Sequence, residues 1–176
     1  MSPSGAAQPE ARVHTLGDVR DAPLHLVLVE PQIPPNTGNV ARLCAATGAA
    51  LHLVEPLGFR IDDRELKRAG LDYWNEVRVI VHPSFDSFLA QTHDRRRWFL
   101  STHASKPYTQ ADFAHGDMIV FGKETAGLPK AVLRDNAACS LRIPMREGAV
   151  RSLNLSTAVG IVAYAALAQL GFPCLT

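Results

Sequence analysis

The feature that most constrains this chain is an alternation. From Leu24 onward, short apolar runs rich in β-branched residues are separated by segments with a helical period. Leu24–Glu30 (LHLVLVE) stops at Pro31 and reads as a strand. The same pattern predicts strands at Ala50–Val54, Val77–Val81, Trp98–Thr102, Met118–Phe121 and Ser140–Ile143. Helical spacing predicts helices from Asn36 or Thr37 to Gly48, then at Asp63–Ala69, Ser84–Gln91, Pro129–Arg134 and Leu155–Leu170. Strands that alternate with helices specify an α/β fold with a mainly parallel sheet and helices on both faces. In such folds ligands sit beyond the carboxyl ends of the strands. Attention therefore falls on the loops after Phe121 and Ile143 and on the loop before Asn36.

At 176 residues, with 47% hydrophobic and 20% charged side chains, the chain has the size and composition of one globular domain. Residues 1–23 mix Pro, Ser, Gly and Ala without a period and read as a flexible tail, leaving 24–176 as the domain. The formal charge of +1 excludes a strongly basic nucleic-acid wrapper but allows local patches. Three widely spaced cysteines, Cys44, Cys139 and Cys174, suit reduced thiols in the cytoplasm. The N-terminus lacks the apolar core of a signal peptide. The longest apolar run, Thr157–Leu170, falls short of the roughly 20 residues a membrane span requires.

Several common chemistries are excluded by what is missing. No G-x-G-x-x-G, H-E-x-x-H or G-x-S-x-G occurs. Gly122 and Gly127 have P-loop spacing, but Leu128 and Pro129 follow where a phosphate loop needs Lys and Ser or Thr. The seven histidines are isolated in sequence, so no metal site is expected.

Three segments carry more than packing explains. In PPNTGNVARLC, Asn36 or Thr37 can cap a helix whose buried face is Val40, Leu43, Cys44 and Thr47; Arg42 lies opposite with no core role. In MIVFGKETAGLP, a strand runs into Gly122, Glu124 and Gly127 before a helix opened by Pro129. In RIPMREGAVRSLNLSTAVGIVAYAALAQL, Ser152 and Asn154 can each cap a terminal helix that is apolar almost all round. Such a helix needs cover on most sides, which suits a subunit contact.

Together the segments NTGNVAR (36–42), FGKETAGLP (121–129) and IPM…RSLNLS (143–156) resemble, in order, the three motifs of the SpoU branch of SPOUT RNA ribose 2′-O-methyltransferases. The short length, LVEPLGF at 53–59 and GLDY at 70–73 are similar to the members that methylate the wobble cytidine or uridine of tRNA, leucine tRNA in particular. The resemblance covers roughly 24–172. It implies a C-terminal trefoil knot, a homodimer, tRNA as partner and S-adenosylmethionine (AdoMet) as methyl donor, with S-adenosylhomocysteine as product. On the motif positions it implies Arg42, Asn36, Glu124 and Asn154 as the catalytic set. It places Leu100, Gly122, Ile143 and Ser152 around the cofactor. Two departures stand out: Lys123, where relatives often carry proline, and a loop from Met145 to Arg151 that is one residue longer. Candidate phosphate contacts are Arg95–Arg97 and Arg60, Arg64, Lys67 and Arg68. The same chemistry on another tRNA or ribosomal RNA ribose, or a knotted RNA-binding module without activity, remain the alternatives to this implied function.

Overall fold

A computed structural model describes residues 11–13, 19–61, 76–173 and 175–176. The expected helix at 63–69, the basic residues Arg64, Lys67 and Arg68, and Cys174 lie outside the described residues.

The strands are β1 (Arg12–Val13), β2 (Leu24–Val29), β3 (Ala50–Val54), β4 (Val79–His82), β5 (Arg97–Leu100), β6 (Lys106–Pro107), β7 (Asp117–Phe121) and β8 (Ser140–Arg142). They form one sheet in the order β1-β4-β3-β2-β7-β5-β8-β6, parallel except for β1. Strand bounds differ from the sequence reading by one or two residues; β5, for example, ends at Leu100 rather than Thr102. From β2 the chain builds outward through β3 and β4, then crosses to β5 on the other side, with β7 filling the gap beside β2. The crevice between the β2 and β7 ends therefore lies where the winding direction reverses, the usual ligand position in open α/β sheets.

Helices α1 (Pro34–Thr47) and α4 (Leu155–Gln169) cover one face; α2 (Phe85–Gln91) and α3 (Lys130–Asp135) lie on the other. Period-2 alternation sorts the strands between them. Leu24, Leu26, Leu28, Ile119 and Phe121 join α1 and α4, while Val27, Val29, Met118 and Val120 join Phe88 and Leu128. Both faces are apolar because both are buried. In α4 the buried residues are Leu155, Val159, Val162, Ala163, Ala166 and Leu167, a spacing that lines one face.

Three expectations are corrected. Neither Asn36 nor Thr37 caps α1: the helix opens two residues earlier at Pro34, after Ile33, with no side-chain cap. Two prolines at its start need no N–H partner, which frees Asn36 for another use. Gly48 does end the helix, in the left-handed region at φ 71°. Second, the described parts of the stretch read as a tail join the fold: Arg12–Val13 pair antiparallel with β4, and buried Ala22 packs against Ala50 and Ile80.

Third, three of the histidines meet. His25, His52 and His82 on β2, β3 and β4 form a buried chain against Phe88 of α2. Nδ1 of His25 lies 2.9 Å from Nε2 of His52, and Nδ1 of His52 lies 2.9 Å from Nε2 of His82. Arg95 closes one end at 3.1 Å from His25 Nε2, and Gln91 Oε1 closes the other at 3.2 Å from His82 Nδ1. A guanidinium has only donors, so His25 Nε2 accepts and every later ring must carry its proton on Nδ1. Burial holds all three rings below the usual histidine pKa, His25 at about 4. These groups are a neutral, one-directional hydrogen-bond chain. Sequence distance hid them, because three parallel strands were needed to bring them together.

Candidate active site

The site is built where β2 and β7 end. After Val29 the chain turns sharply at Glu30, whose φ is +50°. Pro31, Gln32 and Ile33 then lead into α1. The loop after β7 grips this segment with three consecutive side chains. Lys123 pairs with Glu30 at 2.7 Å, and Thr125 donates to Gln32 Oε1 at 2.8 Å. Between them, Glu124 accepts from the Gln32 amide at 2.9 Å, the Ile33 amide at 3.2 Å and Asn36 Nδ2 at 3.0 Å. The carboxylate thus satisfies amides at the opening of α1, where the helix dipole also favours negative charge.

The network continues into the third motif. Asn36 Oδ1 accepts from Asn154 Nδ2 at 2.9 Å. Asn154 Oδ1 in turn caps α4, accepting from the Thr157 amide at 3.3 Å and from Ser156 Oγ at 2.8 Å. The orientations of both amides follow from this chain. Glu124 can only accept and the Thr157 N–H can only donate, so each asparagine has one consistent orientation. Residues 88 and 118 positions apart are joined in a single polar chain. Asn36 is buried, and Thr37 beside it is fully buried with Oγ1 lacking a partner among the described residues.

Arg42 projects from an exposed position on α1, six residues beyond Asn36 and so about 9 Å further along the helix. Leu100, Gly122 and Ile143 stand at or just past the ends of β5, β7 and β8, with Leu100 opposite both Phe121 and Leu141. A Cβ added to Gly122 would overlap the backbone of Gly127 and Leu128, so the loop closes only with glycine there. A cavity of about 180 Å³, lined by Ser101, His103, Ser140, Leu133 and Ala137, opens past the end of β5 and beside the start of β8; Leu100, Gly122, Ile143 and Ser152 are not among its lining residues. Ser152 is exposed, two residues ahead of Asn154.

All three arginines of the expected Arg95–Arg97 phosphate patch have partners within the chain, and Arg96 stays exposed. Arg95 serves the histidine chain, and Arg97 donates to Leu89 O and Thr92 Oγ1. Arg96 binds buried Asp117 through two bonds of 2.8 Å, and Asp117 also accepts from Trp98 Nε1. These arginines precede or begin β5, at the opposite end of the sheet from the site, and their charge holds the fold together. Sequence reading also missed Glu30 and Gln32. Their only signal was proximity to the prolines, since their partners lie some 90 residues away. Cys44 faces the core, and burial pushes its thiol pKa up, so it packs as an apolar side chain.

A mostly parallel sheet, a polar chain uniting three loops at its reversal point and an arginine on the adjoining helix define a SpoU-type methyltransferase domain. The SpoU rRNA Methylase family matches residues 23–164, and the chain belongs to that family. Its relatives include a tRNA (cytidine(34)-2′-O)-methyltransferase of Saccharophagus degradans, 49% identical over 84% of this chain and 96% of that protein. Among solved structures, one concerned with 2-OH methylation of C/U34 on tRNA superposes with a TM-score of 0.80 at 48% identity, covering 84% of this chain and 96% of the other. An AdoMet-bound rRNA methyltransferase from Sinorhizobium meliloti superposes with a TM-score of 0.76 at 25% identity, over 88% of this chain and 61% of the other.

Proposed function

We propose that this chain transfers a methyl group from AdoMet to the ribose 2′-hydroxyl of the wobble cytidine or uridine of tRNA, with leucine tRNA as the first candidate. The hydrogen-bonded chain Glu124–Asn36–Asn154 carries the reading, because it joins the three motif segments at the sheet's reversal point. The relatives supply the substrate class.

The strand ends suit the cofactor. Gly122 lets the loop after β7 close beside the strand ends, and the neighbouring cavity is lined by Ser101 and Ser140. Leu100, Gly122, Ile143 and Ser152 would hold AdoMet, which brings a methyl already activated on a sulfonium when bound. The chain itself must align the ribose oxygen and manage its proton. A guanidinium keeps its proton at neutral pH, so Arg42 acts best as a donor, holding the adjacent phosphate and the oxygen as charge develops on it. Glu124, Asn36 and Asn154 position α1, and Arg42 with it.

The outer side of α4 supports a homodimer: Tyr164 and Phe172 are exposed large apolar side chains whose rings lie 6.5 Å apart. In that arrangement Arg42 of one subunit serves the cofactor of the other. The terminal helix is threaded as a trefoil knot, and the protein acts in the cytoplasm. Incubation with bulk tRNA and labelled AdoMet, followed by mass-spectrometric mapping, tests the reading: a 2′-O-methyl at the wobble nucleotide is expected, and a methyl elsewhere or none refutes it. Mixing Arg42→Ala chains with Gly122→Ala chains should restore activity in heterodimers; no restoration refutes sharing.

A further inference from the structure

Residues 30–33 join β2 to α1 without helix or strand structure of their own, so side chains must fix where they lie. Glu30 is held at two points. Its N–H donates to the Val54 carbonyl at 2.9 Å, just past the β2–β3 ladder, and its carboxylate accepts from Lys123 Nζ at 2.7 Å. Between these anchors its φ is +50°, in the left-handed region that a residue with a Cβ keeps only where its surroundings hold it. Lys123 starts from a closed turn. Its carbonyl accepts from the Gly127 N–H at 2.8 Å, and Gly122 just before it leaves no room for a Cβ against Gly127 and Leu128.

The pair sets a register. Lys123 meets Glu30, Glu124 meets Gln32 and Ile33, and Thr125 meets Gln32, so three consecutive loop residues each hold the segment ahead of α1. Glu124 depends on that register because its two oxygens serve different donors. Oε2 takes the Gln32 N–H, while Oε1 takes the Ile33 N–H and Asn36 Nδ2. The Ile33 contact, at 3.2 Å, is the longest of the three and has little slack before it weakens. We infer that Lys123 and Glu30 are positioning residues for the methyl transfer proposed above: their ion pair fixes the opening of α1 against the loop after β7, and through Glu124 it keeps Arg42 aligned with that loop. The inference rests on that reading of the function. Both side chains are a third exposed, so the pair adds little to overall stability and acts on how often the two segments align. A pair of this exposure shifts such an equilibrium by about fivefold at most.

The test uses the full chain with tritiated AdoMet and tRNA, and the variants Lys123→Met, Glu30→Gln, the two combined, and Lys123→Arg. Lys123→Met and Glu30→Gln should each lower the single-turnover rate at saturating tRNA about three- to fivefold, with KM for tRNA and calorimetric affinity for S-adenosylhomocysteine within about twofold of wild type. The combined variant should lose no more than either single one, and Lys123→Arg, which keeps the ion pair, should retain most of the rate. Additive losses, a loss in Lys123→Met that Glu30→Gln does not match, or an equal loss in Lys123→Arg overturns the inference. A change in KM without one in rate also overturns it, since Lys123 would then be touching the RNA. Independently of activity, the Gln32 and Ile33 amides should exchange hydrogen about three- to fivefold faster in Lys123→Met, with amides inside β2 unchanged. Unchanged exchange at both amides counts against the pair. If the wild-type chain methylates no tRNA, the functional reading fails, and hydrogen exchange decides by itself whether the pair holds the register.

Discussion

Acidification from pH 7.5 to 4.5 loads protons onto a histidine chain that the fold holds neutral. His25 has an ordinary pKa of 6.5 and is lowered to about 4, first by burial and then by Arg95, Arg78 and His115. Between those values the unfolded chain binds the proton and the folded one does not. Stability is therefore full above pH 6.5 and falls as the pH drops toward 4. For His25 alone the loss totals about 3 kcal/mol, with about 2 kcal/mol gone by pH 5. His52 moves in the same direction, through burial and its neighbours His25, His82 and Arg95; His82 does so through burial, opposed by its bond to Gln91. Protonating any ring also breaks the chain's polarity, because an imidazolium cannot accept from the ring before it. Urea titrations at fixed protein concentration across this range measure the effect. A loss of about 2 kcal/mol corresponds to a midpoint shift of about 1 M. His25→Gln keeps an acceptor for Arg95, removes the titrating group and should flatten the slope. Proton-detected nitrogen spectra of the rings should show the Nδ1–H tautomer at all three. A constant urea midpoint from pH 7 to 5, or a His25 ring titrating near 6.5 in the folded protein, refutes the reasoning.

Three further outcomes follow from the site. Glu124→Gln keeps one acceptor but turns an N–H either toward the Gln32 amide or toward the Ile33 amide and Asn36 Nδ2, so it should cost about 2 kcal/mol, read as a lower thermal midpoint, and abolish most methyl transfer. Gly122→Ala should prevent the turn from closing and remove calorimetric binding of S-adenosylhomocysteine; retained binding would show that the loop can open without penalty. Thr37→Val replaces a buried hydroxyl that has no partner among the described residues with an apolar group of the same shape, and should raise stability by about 1 kcal/mol in urea titration; a loss would mean the hydroxyl is satisfied.

The sequence by itself determined the layers. Period-2 and helical patterns gave most strands to within two residues and placed α4 at Leu155. Local chemistry is enough for this, since a buried parallel strand must be apolar on both sides and a helix must show a stripe. Three short motifs also identified Asn36, Glu124 and Asn154. Their relation was beyond the sequence: Asn36 reads as a cap on local grounds, and only the packing of α1 against α4 and the β7 loop makes it the link between a carboxylate and a second amide. The basic triplet shows the same limit: Arg95, Arg96 and Arg97 read as candidate phosphate contacts, and only the fold shows that His25, Asp117 and Thr92 hold them. Hydrogen-bond partners separated by tens of residues are chosen by strand order, and strand order depends on how the whole sheet winds. That is why composition and periodicity fixed which elements form, while tertiary structure alone decided which polar groups meet.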